Sequence, residues 1–175
     1  MTAHDLLAGL LTFPYVPLEP RLSACIAALR LSNDGAADAV RRFYDAIQTR
    51  SLASLQEEYT DTFDLQPTCS LELGWHLFGD SRERGGFLAE LRGDLQRAGI
   101  EETAGLPDHL AHLLALVARE PSERAAEHAR LVAPAITSIR DALSTRHSPY
   151  THLLEASDLV MTACAAQHTA EESMR

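Results

Sequence analysis

Apolar residues recur three and four positions apart along almost the whole chain, and no stretch alternates with a period of two. That spacing gives each segment one apolar helical stripe and leaves no pattern for a half-buried strand. Capping residues and prolines divide the pattern into pieces. Residues 2–13 predict a first helix, with Thr2 as N-cap, Asp5 three positions on, and Pro14 and Pro17 as stops. Residues 20–31 predict a second, with Leu22, Ile26 and Leu29 on one face. Asn33 or Asp34 caps a third, which runs to Gln48 through Val40, Phe43, Tyr44 and Ile47. Ser51 or Ser54 opens a fourth.

At about 100° per residue, Leu52, Leu55, Tyr59, Thr62 and Phe63 share one side of residues 51–64, and Glu57, Asp61 and Asp64 lie opposite. In the fifth segment, residues 70–78, Leu71, Gly74, Trp75 and Phe78 share a face, with Glu72 and His76 away from it. Asp80 and Glu83 have the spacing of a capping box for a sixth helix with an inward stripe of Phe87, Leu88, Leu91 and Leu95 and a stop at Gly99. A seventh opens with Pro107 in its first turn and carries Leu110, Leu113, Leu114 and Val117. Residues 122–143 form an eighth that Pro134 should kink or split. Ser148-Pro149 opens the last, to Gln167. The expectation is an all-α, single-domain bundle of about eight or nine helices, less regular than a four-helix bundle. It occupies residues 1–168, with a frayed polar tail at 169–175.

The chain has 175 residues, enough for one domain with a real core, and a net charge of −10. Its 15 basic residues are all arginine. An acidic protein is repelled by nucleic-acid phosphates and anionic membranes, so neither is an expected partner, whereas a basic peptide is compatible. Cys25, Cys69 and Cys164 are odd in number and far apart, which reads as buried thiols in a reducing cytoplasm. The N-terminal apolar run is short and lacks a basic flank, so neither a signal peptide nor a membrane span is expected.

Few residues carry a chemical signature. No Walker loop and no strand-linked glycine fingerprint occurs, and Gly85-Gly86 reads as close helix packing. His109 and His112 could face one way, but a metal needs three or four ligands and no further cluster supplies them. Asp108-His109 is adjacent in sequence, so the two side chains diverge on a helix, and Asp108 reads as a carboxylate at a helix start. No catalytic residue, cofactor or metal is expected. The acid-rich, aromatic window around residues 57–75 has two readings. One is a solvated helix face. The other is a groove edge where Glu57, Asp61, Asp64 and Glu72 attract Arg or Lys, with Tyr59, Phe63, Leu71 and Trp75 offering apolar and cation–π contact. Asp80, Arg82 and Arg84 either pair internally across the helix junction or touch a partner.

Four segments in order resemble the NarJ branch of the NarJ/TorD/DmsD family of molybdoenzyme maturation chaperones. Tyr59-Thr60-Asp61-Thr62-Phe63-Asp64 is similar to Y-V-x-T-F-D. Ser70-Leu71-Glu72-Leu73-Gly74-Trp75-His76 with Gly79-Asp80-Ser81-Arg82-Glu83-Arg84-Gly85 is similar to S-L-x-L-x-x-H…G-D-x-R-x-R-G. Leu106-Pro107-Asp108-His109-Leu110 is similar to L-P-D-x-L, and Ser148-Pro149-Tyr150 opens the last helix. Glu72 and Gly74 stand where the branch usually has larger or uncharged residues. The resemblance implies a cytoplasmic, non-enzymatic chaperone, a monomer or weak dimer without stable membrane association. It would bind the N-terminal leader of the catalytic subunit of nitrate reductase or a close relative and assist molybdenum cofactor insertion. Asp108 and His109 would meet the leader opposite the acidic-aromatic window. The rival expectation is a small-molecule- or metal-binding helical enzyme or regulator built on His109 and His112.

Overall fold

The computed structural model describes the backbone of residues 1–173 and the side chains of residues 1–166, so the expected tail at 169–175 lies outside the described side chains. Among the described residues the regular elements are helical. They are α1 (Ala3–Leu10), α2 (Glu19–Leu29), α3 (Asp34–Ile47), α4 (Leu52–Tyr59), α5 (Leu73–Phe78), α6 (Arg82–Arg97), α7 (Leu110–Val117), α8 (Ser122–Thr145) and α9 (Thr151–Ser173). A π turn (Thr60–Asp64) and a 3₁₀ turn (Pro67–Cys69) separate α4 from α5. No described helix is long and apolar enough to cross a membrane.

The helix starts follow from local chemistry. Thr2 and Asp5 form a reciprocal capping box on α1, and the Asn33 and Ser51 side chains accept from Ala36 N and Ser54 N. Gly99 adopts φ +67°, and Ile100 N donates to Leu95 O (2.9 Å) while Gly99 N donates to Gln96 O (3.2 Å). This pair of bonds ends α6 in a Schellman motif, which requires the left-handed backbone that glycine adopts without strain.

Four local expectations meet a different outcome. The N-cap of α6 is Ser81, whose hydroxyl accepts from Arg84 N, while Asp80 stays exposed outside the helix. Pro107 does not open α7; His109 caps it, with Nδ1 accepting from Ala111 N (3.2 Å). Gly85 and Gly86 are exposed, and a Cβ at either would meet nothing, so they mediate no close packing. Pro134 does not split α8, which continues through it.

Helices α8 and α9 form the most extensive pair; α3 lies on α9, α2 on α3, and α1 on both α2 and α7. On the α6–α8 side, buried Asp94 accepts from Arg97 and from Arg124 Nη2 (3.0 Å). His128 Nδ1 meets Glu120 at 2.8 Å and His128 Nε2 lies 3.6 Å from Asp94, joining the network. An ion-paired aspartate held by two arginines is satisfied without a metal.

The core reaches the surface through one aromatic cluster. Tyr150 is 1% exposed and stacks with Phe43, Tyr59 and Phe63 at centroid distances of 5.2, 6.0 and 4.9 Å. Phe13 meets Tyr59 edge-on at 5.7 Å. The Tyr59 hydroxyl donates to Leu11 O at 3.0 Å, tying the end of α4 to the end of α1. Replacing Tyr59 by Phe leaves that carbonyl without its buried donor. We expect a loss of about 1–2 kcal/mol, read as a lower urea midpoint at unchanged m value.

Candidate functional site

A groove of about 650 Å³ opens above this aromatic cluster. Phe13 and Tyr15 contribute from the α1–α2 connection, Tyr59, Phe63 and Asp64 from the end of α4, Leu71, Glu72 and Trp75 from the approach to α5, and His109 from the start of α7. Thr103, Ala104 and Gly105 close the far side. Exposed apolar side chains lie at the rim: Tyr15 is 78% exposed and Trp75 39% exposed, and Leu65 and Leu106 adjoin lining residues in the chain. A concentration of exposed apolar surface around one concavity marks an interaction site.

One buried carboxylate sets the groove wall. Residues 71–73 and 108–110 run antiparallel for a single bridge, Leu73 N donating to Asp108 O (3.0 Å) and Leu110 N to Leu71 O (2.9 Å). Asp108 Oδ2 accepts from Gly74 N at 3.0 Å and from Arg84 Nη2 at 3.3 Å. The expectation that Asp108 serves a helix start holds for the wrong helix: it caps the first turn of α5, which has no cap of its own. Arg84 also donates to Glu72 Oε2 (2.7 Å) and sits over the Trp75 ring at 5.8 Å. Of the two roles open for Arg84, the structure shows internal pairing. Arg82 is exposed.

Gly74 is explained by this contact. A Cβ there would lie 2.6 Å from Asp108 Oδ2 and 3.1 Å from Phe87 Cδ1. Burial raises the Asp108 carboxyl above the usual aspartate range, and Glu72 adds to the rise, with Arg84 and the Gly74 N–H opposing. For Arg84 burial works against the charge, but the Glu72 and Asp108 contacts outweigh it and hold the guanidinium charged.

The structure separates the acidic residues that the sequence put on one face. An i→i+5 bond from Leu65 N to Thr60 O (3.1 Å) widens the turn after Tyr59 and takes Asp64 off the 100° ladder, so it lines the groove with Tyr59 and Phe63. Glu57 and Asp61 face a different cavity of about 350 Å³ with Arg50, Arg146 and His147. Leu71 and Trp75 do not share a helical face as expected, because α5 begins only at Leu73; Leu71 is buried and Trp75 is exposed.

His109 and His112 are buried, with ring centroids 5.9 Å apart. His112 Nδ1 contacts Leu106 O (2.9 Å) and Nε2 accepts from Ala104 N (3.2 Å), so Nδ1 is the donor and the ring hangs the 100–106 segment from α7. Arg92 clamps the same segment with a two-pronged contact to Glu102 (2.8 and 3.1 Å). A shared metal would have to break the bonds that hold this segment. These strap residues, with Thr12, Phe13 and Tyr15, were not foreseen. Their only sequence signal is an aromatic in a proline-bounded loop, Pro14-Tyr15-Val16-Pro17.

Residues 31–155 match the family described as the nitrate reductase delta subunit. The chain is 28% identical over 154 residues to the nitrate reductase molybdenum cofactor assembly chaperone NarJ of Escherichia coli (strain K12), covering 86% of this chain and 65% of that protein. It is 30% identical over 106 residues to the probable nitrate reductase molybdenum cofactor assembly chaperone NarW of the same strain, covering 60% of this chain and 46% of that protein. The chain therefore spans less than two thirds of the length of these relatives.

Two outcomes follow from the geometry. Gly74→Ala gains helix propensity but forces the Asp108 carboxylate and Phe87 aside, and we expect a net loss of about 1–3 kcal/mol in denaturant unfolding. Burial, with a smaller push from His112, lowers the His109 imidazole from 6.5 to about 4. A neutral buried ring favours the fold above pH 6.5, and that stability is lost as pH falls toward 4. His109→Asn keeps a capping side chain but should flatten this acid limb, which amounts to about 3 kcal/mol at most, measured as urea midpoints between pH 7 and pH 4.5.

Proposed function

The chain belongs to the nitrate reductase delta subunit family, and from that premise we propose that it is a maturation chaperone. It binds the N-terminal leader of a molybdoenzyme catalytic subunit, of nitrate reductase or a close relative. In the cytoplasm it holds the apo-enzyme ready for molybdenum cofactor insertion before membrane attachment or export. The observation that carries this reading is the groove with an aromatic floor, an apolar rim and acid on its wall, in a chain of net charge −10. Such a groove suits an amphipathic segment that brings arginine or lysine together with apolar side chains. The relatives NarJ and NarW, an assembly chaperone and a probable one for nitrate reductase, support the same role.

Asp64 is the principal attracting charge, since it is exposed, lines the groove and has no ion pair among the described residues. Glu72 contributes less, because Arg84 already neutralises it at 2.7 Å. Tyr59 and Phe63 form the floor rather than the rim; both are 6% exposed. Trp75 and Tyr15 are the exposed aromatic side chains at the rim, placed to contact a bound segment. His109 lies at the groove edge as a neutral, backbone-bonded ring, so it offers shape and Nε2 rather than charge. Asp108 acts through Gly74 and Arg84 as a positioning residue. Glu57 and Asp61, facing the other cavity, contribute long-range attraction only.

Calorimetry with a synthetic peptide copying the first ~30 residues of the nitrate reductase catalytic subunit from the same genome, a length of several helical turns, tests the reading. Binding should weaken with added salt. Asp64→Asn should weaken it by about 0.5–1 kcal/mol, and Trp75→Ala by about 2 kcal/mol. Absence of heat at micromolar protein would refute the reading.

A further inference from the structure

The groove does not end at the strap. A second cavity of about 400 Å³ lies on the other side of residues 100–105, between α1 and α7. It shares Thr12, Thr103 and Ala104 with the groove, so the two concavities meet along one wall. Their linings differ in kind. The groove carries Asp64 and Glu72 with hydroxyls and aromatic edges. The second cavity is surfaced largely by Leu6, Ala8, Gly9, Ile100, Ala111 and Ala115. Asp5, at its rim, is tied to Arg119 at 2.6 Å. Its volume falls within the roughly 300–1,000 Å³ of cavities that hold small ligands.

We propose that this second cavity is an apolar subsite of the same binding surface, taking the large apolar side chains of the peptide whose cationic part lies against Asp64 and Glu72. The inference rests on the chaperone reading above and assigns the peptide a polarity. Its charged residues occupy the groove, and its apolar residues pass Thr12 and the Thr103–Ala104 edge into the space between α1 and α7. Asp5, Arg21 and Glu101 also line the second cavity, but its exposed lining is mainly apolar; that contrast, with the continuity of the two cavities, favours one amphipathic occupant over two unrelated ones. His112 is a positioning residue for this arrangement. It lines the second cavity and holds the strap through Ala104 N and Leu106 O, which fixes the edge between the two compartments.

Gly9 provides a clean test. It lies on the cavity wall in helix α1, and a Cβ there meets nothing within 4 Å. Gly9→Leu starts from an open Cβ position on the cavity wall and removes a helix-weakening glycine, so it should fold about as well as the parent, which its thermal midpoint checks. Gly86→Leu, another open position on exposed α6 and outside both cavities, is the control. The probes are the ~30-residue peptide above, fluorescently labelled, and a copy with its Leu, Ile, Val, Met and Phe residues changed to Ala.

In anisotropy titrations Gly9→Leu should weaken the natural peptide by about tenfold, the equivalent of one or two lost apolar contacts. It should barely change the weaker affinity of the alanine copy, and Gly86→Leu should change neither. Asp64→Asn should weaken both peptides. Unchanged affinity of Gly9→Leu for the natural peptide, with its thermal midpoint intact, would overturn the subsite while leaving the chaperone reading standing. Equal weakening of both peptides would also overturn it, since the effect would not depend on apolar side chains. Failure of the parent protein to bind either peptide would overturn both.

Discussion

The groove depends on one buried carboxylate. Asp108 is fully buried, and it joins three pieces of chain. Its Oδ2 satisfies the Gly74 N–H at the start of α5 and anchors Arg84 from α6, while its own carbonyl accepts from Leu73 N. A six-residue helix such as α5 has no stability of its own and exists because tertiary contacts hold its first turn. The arrangement is costly to bury, since Asp108 Oδ1 and Arg84 Nε find no partner among the described groups. Removing the carboxylate would leave a half-buried guanidinium and an orphaned N–H in the wall, which is far worse than keeping the pair.

From that node the chemistry of the surface follows. Arg84, held by Asp108, partly neutralises Glu72 and supports the Trp75 ring from behind. Trp75, with Arg84 over its ring, lies at the rim, where the sequence reading of a groove contact also put it. On the opposite side the π turn does the equivalent work for Asp64, rotating it from the solvated face of α4 into the groove. One widened turn thus places an acid beside two aromatics that α-helical geometry would have put on the other side.

The aromatic floor links this surface to the core. Tyr150, at the start of α9, touches Phe43 of α3 as well as Tyr59 and Phe63. Burial and neighbouring charges push the Tyr59 and Tyr150 hydroxyls well above the usual phenol range, so both stay neutral, and Tyr59 donates to Leu11 O. The floor is packed into the core, while Tyr15 and Trp75 stay exposed at the rim, against Phe13 and Arg84 respectively. That division suits the docking role proposed for this surface.

Helix identity was legible in the sequence because periodicity and caps are local. Thr2, Asn33, Ser51 and Gly99 do what their types and spacing predict, and the buried stripe of Leu55, Tyr59, Thr62 and Phe63 follows from spacing alone. The four segments that carry the family resemblance also meet in space: three supply groove-lining residues and the fourth supplies Tyr150 beneath the aromatic floor. What could not be read was which helix Asp108 caps, why Gly74 lacks a side chain, and that Asp61 and Asp64 part company. Each depends on contacts between residues 24 to 34 positions apart, as in Gly74–Asp108 and Arg84–Asp108, or on one non-α turn. The sequence by itself determined the helices and their inward faces through short-range spacing. Only the tertiary structure decided the groove, because its walls come from segments that no local pattern brings together.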